Sequence, residues 1–193
     1  MRASHRRGYL LCGGEVVIVV EGPDGGGKTT LIKTLSERFD LPVAPRVVSQ
    51  DAAAMVDLKE WVERNVADGW QPTLFDRHRL ISEPIYGSIL RKTFERGFDD
   101  VMWLYNMNYM FFRNCRPLII YCLPSYTVVR QNLDGDPDNV AVVHKIRRIY
   151  AQYVSRATTD AVNAGAMIHD YTQPNFNHIF RVVQRAIEVE THV

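Results

Sequence analysis

Long apolar runs, an excess of charge of either sign and a rich set of cysteines are missing from this sequence, and each absence excludes something. No stretch approaches the ~20 consecutive apolar residues of a membrane-spanning helix, so no membrane partner is expected. Lys plus Arg total 23 against 22 for Asp plus Glu, a net charge of +1, which leaves no global electrostatic footprint for nucleic acid or a membrane surface. Only a local basic patch fits inside that balance. The three cysteines, Cys12, Cys115 and Cys122, are odd in number and lack metal-ligand spacing, so a reducing, cytoplasmic setting is the expectation. A secretory signal is not expected either, because Arg2, Arg6 and Arg7 are followed by few apolar residues before Cys12, Gly13 and Gly14.

What remains is an ordinary globular composition, 46% apolar and 23% charged over 193 residues, long enough for one substantial core. Residues 1–14 read as a basic, flexible extension, either a solvated tail or a nucleic-acid contact. Residues 15–193 read as a single domain in which strand and helix periods alternate. Val16 to Val20 is a β-branched run suited to a strand buried on both faces. Leu31, Ile32, Leu35 and Phe39 then fall at helical spacing. Further strands are expected at Leu41 to Val48, in "PTLFDRH", in "PLIIYCLP" and from Ala166 to Tyr171. Helices are expected before Gly69, over 79–115 with breaks near Pro84 and Gly97, from a capped start at Ser125, over about 140–163, and from Asn175 to about Glu190. This alternation implies a parallel sheet with helices on both faces, where ligands sit at the carboxyl ends of the strands.

One strand end carries a full G-x-x-x-x-G-K-[ST] pattern: Gly22, Pro23, Asp24, Gly25, Gly26, Gly27, Lys28, Thr29, followed by Thr30. Glycines let backbone N–H groups approach phosphate oxygens, because they tolerate positive φ and carry no obstructing side chain. The helix start adds unpaired N–H groups and the positive end of its dipole. Lys28 supplies a mobile charge for the β- and γ-phosphates, and the Thr29 hydroxyl a ligand for Mg2+. ATP and Mg2+ are therefore the expected cofactors. No carboxylate ends the "PLIIYCLP" strand, and no guanine-reading NKxD stretch is present, which turns the reading from hydrolases toward small kinases.

A second strand end places Asp76 and Arg77 in "TLFDRHRLISEPIYG". A carboxylate here can take the proton of an attacking hydroxyl or help to hold Mg2+, and a guanidinium can fork phosphoryl oxygens. The plain alternative is a surface salt bridge. His78 beside the pair reads as a packing residue rather than a base.

On "EGPDGGGKTT", on Asp76, Arg77, Ser82, Tyr86 and Gly87, and on the order of elements, the chain resembles P-loop kinases of the thymidylate kinase and deoxynucleoside kinase group, and among these the small phage-type kinases. The resemblance implies a three-layer α/β/α sandwich around a five-stranded parallel sheet in the order 2-3-1-4-5. It also implies a lid, here around 131–146, and a location in the host cytoplasm if the chain is phage-encoded. It puts Asp24 toward the acceptor and makes Arg77 a phosphate clamp. Where that family usually places lid arginines, this loop reads "QNLDGDPDNVAVVH". Its nearest cations are Arg130, Lys145, Arg147 and Arg148, which are lid groups or a solvated helix face.

The acceptor pocket is drawn from Tyr86, Arg91, Tyr109 and Arg113, among further aromatics (Trp103, Tyr105, Phe111, Phe112) that serve either as core or as base-stacking groups. In the resembling family the fifth strand end, Asp170 to Thr172 here, flanks adenine; a simple turn is the alternative. The expected activity is γ-phosphoryl transfer from ATP to a deoxynucleoside or its monophosphate, with Lys28, Asp76 and Arg77 as catalytic groups. Two alternatives stay open. One is a kinase of a hydroxymethyl-pyrimidine base within phage DNA, of the 5-hydroxymethyluracil type, which makes nucleic acid a substrate; the other is a non-catalytic triphosphate-dependent switch. A homodimer is open as an assembly.

Overall fold

The computed structural model describes residues 16–44, 59–60, 73–90, 98–134, 140–173 and 176–190. The expected helix before Gly69, apart from helical Lys59 and Glu60, the extension 1–14, the lid tip 135–139 and Arg91 lie outside these residues. Strand β1 (Val17–Glu21) leads into helix α1 (Lys28–Phe39), and β2 (Thr73–Asp76) into α2 (Arg79–Leu90). Helix α3 (Phe98–Cys115) precedes β3 (Leu118–Cys122), α4 (Tyr126–Leu133), α5 (Val140–Val143) and α6 (Ile146–Ala164). Strand β4 (Met167–His169) and α7 (Phe176–Glu190) close the chain.

All strand pairs are parallel, in the order β2-β1-β3-β4. The central β1 is fully buried because each face is covered. Val17 and Val19 pack with Leu80, Ile85, Phe111, Ile149 and Tyr153 from α2, α3 and α6. Ile18 and Val20 pack with Leu31 and Leu35 of α1 and Ile179 and Val183 of α7. Two-residue alternation along a strand thus produces the three layers.

Three expectations are corrected. The described sheet has four strands, not five in the order 2-3-1-4-5. Of the strand expected from Leu41 to Val48, residues 45–48 lie outside the described residues; within 41–44 a parallel bridge joins Val43 to Leu74, with hydrogen bonds through Pro42 O and the Ala44 N–H. Pro42 has no N–H of its own to extend that ladder. Second, Pro84 lies inside α2 and does not break it. The Leu80 carbonyl, which loses its i+4 donor to the proline, accepts instead from the Asn108 side chain of α3 at 3.2 Å. Third, the helix expected over 140–163 is interrupted at His144 and Lys145, where Lys145 N–H returns to Val142 O at 2.9 Å. Arg130 donates to the Val143 carbonyl, at the end of α5, at 3.5 Å.

Candidate active site at the carboxyl ends of the strands

Between β1 and α1 the chain must turn while lying against the end of β3. Gly22 has φ 140°, and a Cβ built there would stand 2.5 Å from the Cys122 carbonyl oxygen, so backbone fills the space of a side chain. Gly27, at φ 85°, caps α1 without a side-chain hydrogen bond, and the first turn of the helix holds no acidic residue. Its leading N–H groups are thus directed outward without a side-chain acceptor, as an anion site requires. Lys28 is only 7% exposed. Its Nζ donates to the Pro23 carbonyl at 2.7 Å, so the ammonium is folded into the loop that it would serve. Burial, then the positive charge of Arg77, lowers its pKa to about 8. Thr29 and Thr30 are exposed on the same turn.

The end of β2 delivers Arg77 to this loop. Its N–H bonds Val20 O at 3.0 Å, continuing the register that pairs Val20 with Asp76. Its φ of 64° lies in the left-handed region that non-glycine residues rarely adopt, and it turns the side chain back over the glycine loop. The guanidinium Nη2 donates to Asp24 Oδ1 at 2.5 Å and to the Tyr86 hydroxyl at 2.7 Å, and Nε donates to Gly22 O at 3.3 Å. Tyr86 completes the ring of contacts by donating to Asp24 Oδ2 at 2.9 Å, with its aromatic face 4.6 Å from the Arg77 carbon. Burial alone would raise the Asp24 pKa, but the charges of Arg77 and Lys28 outweigh it and hold the carboxylate below its ordinary range. Burial raises the Tyr86 hydroxyl well above its ordinary value, so it remains a donor. The surface salt bridge considered for Asp76 and Arg77 is not the one formed: Arg77 pairs with Asp24.

Asp76 is half-buried, and its Oδ1 has no hydrogen-bond partner. An orphaned carboxylate oxygen at one strand end and an exposed Thr29 hydroxyl at the neighbouring helix start are hard oxygen donors of the type Mg2+ takes. Among the described residues no three His, Cys, Asp or Glu side chains cluster around a metal. The residues present fit a cation that completes its shell with phosphate oxygens and water, as Mg2+ does.

The remaining expected residues divide. Tyr86 belongs to the cluster, while Tyr109 and Arg113 are exposed on α3 and bond each other at 2.8 Å. Trp103, Phe111 and Phe112 pack in or against the core and Tyr105 is exposed. Arg130 pairs with Asp134 at 3.0 Å, and Lys145, Arg147 and Arg148 are exposed at the start of α6. Past β4, Asp170 Oδ1 accepts from the Thr172 N–H and hydroxyl in a local turn, at 2.9 and 2.6 Å. The Tyr171 ring lies against Gly27, where a Cβ would meet its Cδ1 at 2.6 Å. His78 is fully buried, stacked 4.1 Å from Phe111, and burial depresses its pKa to about 3, so it packs as a neutral ring.

Sequence reasoning missed two residues. Glu21, the last of β1, is fully buried beside the cluster; a charge ending an apolar strand directly before Gly22 was a legible signal. Asn132 donates to Gly25 O and to the Tyr171 hydroxyl, each at 2.7 Å, and nothing in the local pattern marks it.

No protein-family model matches the chain, and no curated protein matches it in sequence. Solved structures do match it in shape. The YorR protein of Bacillus subtilis, in complex with phosphorylated GDP, superposes with a TM-score of 0.60 over 92% of this chain and 99% of its own, at 17% identity. Deoxyadenosine kinase from M. mycoides matches in three states, with dATP, with dCTP and with products, each at 14% identity. With products dCMP and dCDP bound, its TM-score is 0.58, over 90% of this chain and 100% of its own. With dATP bound, the values are 0.56, 88% and 98%. The chain therefore has the parallel α/β fold of these nucleotide-binding proteins, built around the glycine loop described above.

Proposed function

We propose that the chain is an ATP- and Mg2+-dependent phosphotransferase that carries the γ-phosphoryl group to a deoxynucleoside or deoxynucleoside monophosphate. The observation that carries this reading is the fork of Arg77 onto Asp24, the acid within the glycine loop itself. A glycine loop alone is enough to bind a triphosphate. A loop whose acid is gripped by the arginine of the adjoining strand end, with Tyr86 closing the group, has polar side chains where an acceptor compartment would adjoin the phosphates. Transfer needs such a compartment for an acceptor, and a switch does not.

In this reading Lys28 leaves Pro23 O for the β- and γ-phosphates and offsets their charge. With a nucleoside acceptor, Asp76 accepts the proton of the attacking hydroxyl as the bond from that oxygen to the γ-phosphorus forms and the bond to the leaving ADP oxygen breaks. With a monophosphate acceptor, an ionised phosphate oxygen attacks without a base, and Asp76 serves instead as a partner of the metal. Arg77 and Asp24 orient the acceptor, and most of the rate comes from positioning and electrostatics rather than covalent help. Thr29, with Asp76 directly or through water, would hold Mg2+, which would supply charge neutralisation on the triphosphate. The likeness of the fold to a deoxyadenosine kinase recorded with dATP, dCMP and dCDP supports a nucleoside-type acceptor.

The test is incubation with γ-labelled ATP and Mg2+ against deoxynucleosides, their monophosphates and hydroxymethyl-pyrimidine DNA. Label in a free nucleoside or nucleotide supports the reading. Label in DNA alone replaces the acceptor class, and label in none, from folded protein, removes the kinase assignment.

A further inference from the structure

Arg77 owes its aim to a backbone conformation that its own side chain does not favour, and something must hold that conformation. Its φ is 64°, and α2 begins two residues later, at Arg79. The kink buries the next amide, that of His78, whose residue is fully shielded from solvent. A buried N–H without a partner is costly, so the kink persists only where an acceptor waits for it. Glu21 is that acceptor: Oε1 takes the His78 N–H at 2.6 Å. The opposite oxygen, Oε2, is held by the Tyr153 hydroxyl of α6 at 3.1 Å, which fixes the carboxyl in place.

Glu21 is 0% exposed and so offers no surface to a substrate. An apolar residue would have extended the "VIVV" strand at lower desolvation cost, so the carboxyl needs an explanation. We propose that Glu21 is a positioning residue for the acceptor side of the site: by fixing the His78 amide it holds the left-handed turn at Arg77 and so aims the guanidinium at Asp24 and Tyr86. Burial raises the Glu21 carboxyl to about 7, so near neutral pH it is often a neutral acid with one carbonyl acceptor. Glutamine reproduces that acceptor; methionine reproduces only the volume. The kinetic half of the proposal rests on the phosphotransferase reading, while the structural half stands without it.

The test uses full-length protein in wild-type, Glu21→Gln and Glu21→Met forms, with two readouts. The first is hydrogen exchange of the Arg77 Nε–H and the His78 amide by NMR, which needs no turnover. In Glu21→Met both should exchange about tenfold faster or more, and in Glu21→Gln both should stay near wild type. The second is kinetic: Glu21→Met should lower kcat/KM for the acceptor by about 30-fold while the ATP dissociation constant stays within about twofold. Adding Arg77→Ala to Glu21→Met should bring little further loss, because both changes remove the same interaction. Unchanged Arg77 protection in Glu21→Met, or additive losses in the double variant, overturns the proposal. If no acceptor is ever labelled, the kinase reading fails and the exchange result still decides the positioning role. Should Glu21→Met not fold, the wild-type protein decides. Arg77 Nε–H and His78 N–H should then open in one event with one denaturant dependence, and Arg77 opening while His78 stays closed contradicts the proposal.

Discussion

Arg77 and Asp24 stand 53 residues apart in sequence, yet a guanidinium nitrogen of one lies 2.5 Å from a carboxylate oxygen of the other, with the Tyr86 hydroxyl bonded to both. Two strand ends are thereby joined through side chains as well as through the sheet. The geometry depends on a planar fork: Nη2 serves Asp24 and Tyr86 while Nε serves Gly22 O. Arg77→Lys keeps the charge and loses the fork, and is expected to cost about 1.5–3 kcal/mol in unfolding free energy and over tenfold in acceptor kcat/KM. Urea denaturation and steady-state kinetics check both values.

Lys28 carries a pH dependence with a definite sign. Its pKa is lowered to about 8 by burial and by Arg77, whereas a bound triphosphate would favour the charged form. ATP affinity should therefore fall as pH rises through about 8, and binding near that pH should take up a proton. Calorimetry in buffers of different ionisation enthalpy measures the uptake, and an affinity unchanged from mildly acidic to alkaline pH would contradict it.

Glu21 gives stability a slope in the opposite sense from a salt-bridged acid. Its folded pKa, raised by burial to about 7 from 4.5, means that the folded protein keeps a proton that the unfolded chain releases. Its contribution is fully present below pH 4.5 and is lost as pH rises through about 7, by roughly 3 kcal/mol at most. His78, depressed by burial to about 3, acts the other way, contributing above 6.5 and losing its contribution as pH falls toward 3. Subtracting Glu21→Gln from wild type isolates the first effect. The difference in unfolding free energy should decline across that window, and a difference that rises with pH would be the wrong sign.

Gly27 is constrained twice, by φ 85° and by the Tyr171 ring 2.6 Å from where a Cβ would lie. Gly27→Ala should destabilise by about 1–2 kcal/mol from the left-handed backbone alone, plus a steric part. Combining it with Tyr171→Ala should remove only the steric part. Thermal or chemical denaturation of the three variants separates them.

The elements that could be read from sequence were those with a local cause. The run Val16 to Val20 was legible because every face of β1 is covered. The glycine loop was legible because phosphate binding demands its spacing, and Asp76 and Arg77 because charge followed an apolar strand. What sequence did not convey was set by contacts across the fold. Pro84 looked like a helix break because the Asn108 amide that compensates for it comes from another helix. The break at Lys145 lies where Arg130 of another helix reaches Val143 O. The pairing of Arg77 with Asp24 rather than Asp76 follows from a φ value that no residue pattern announces.

The most direct test compares wild type with Lys28→Met, an apolar variant of similar length, for transfer of label from γ-labelled ATP to deoxynucleosides and deoxynucleoside monophosphates in the presence of Mg2+. The expected result is labelled acceptor from wild type and a loss of at least about a hundredfold in the variant, with both proteins equally folded by circular dichroism. Equal labelling by the two proteins would mean that the glycine loop is not where the phosphoryl group is handled.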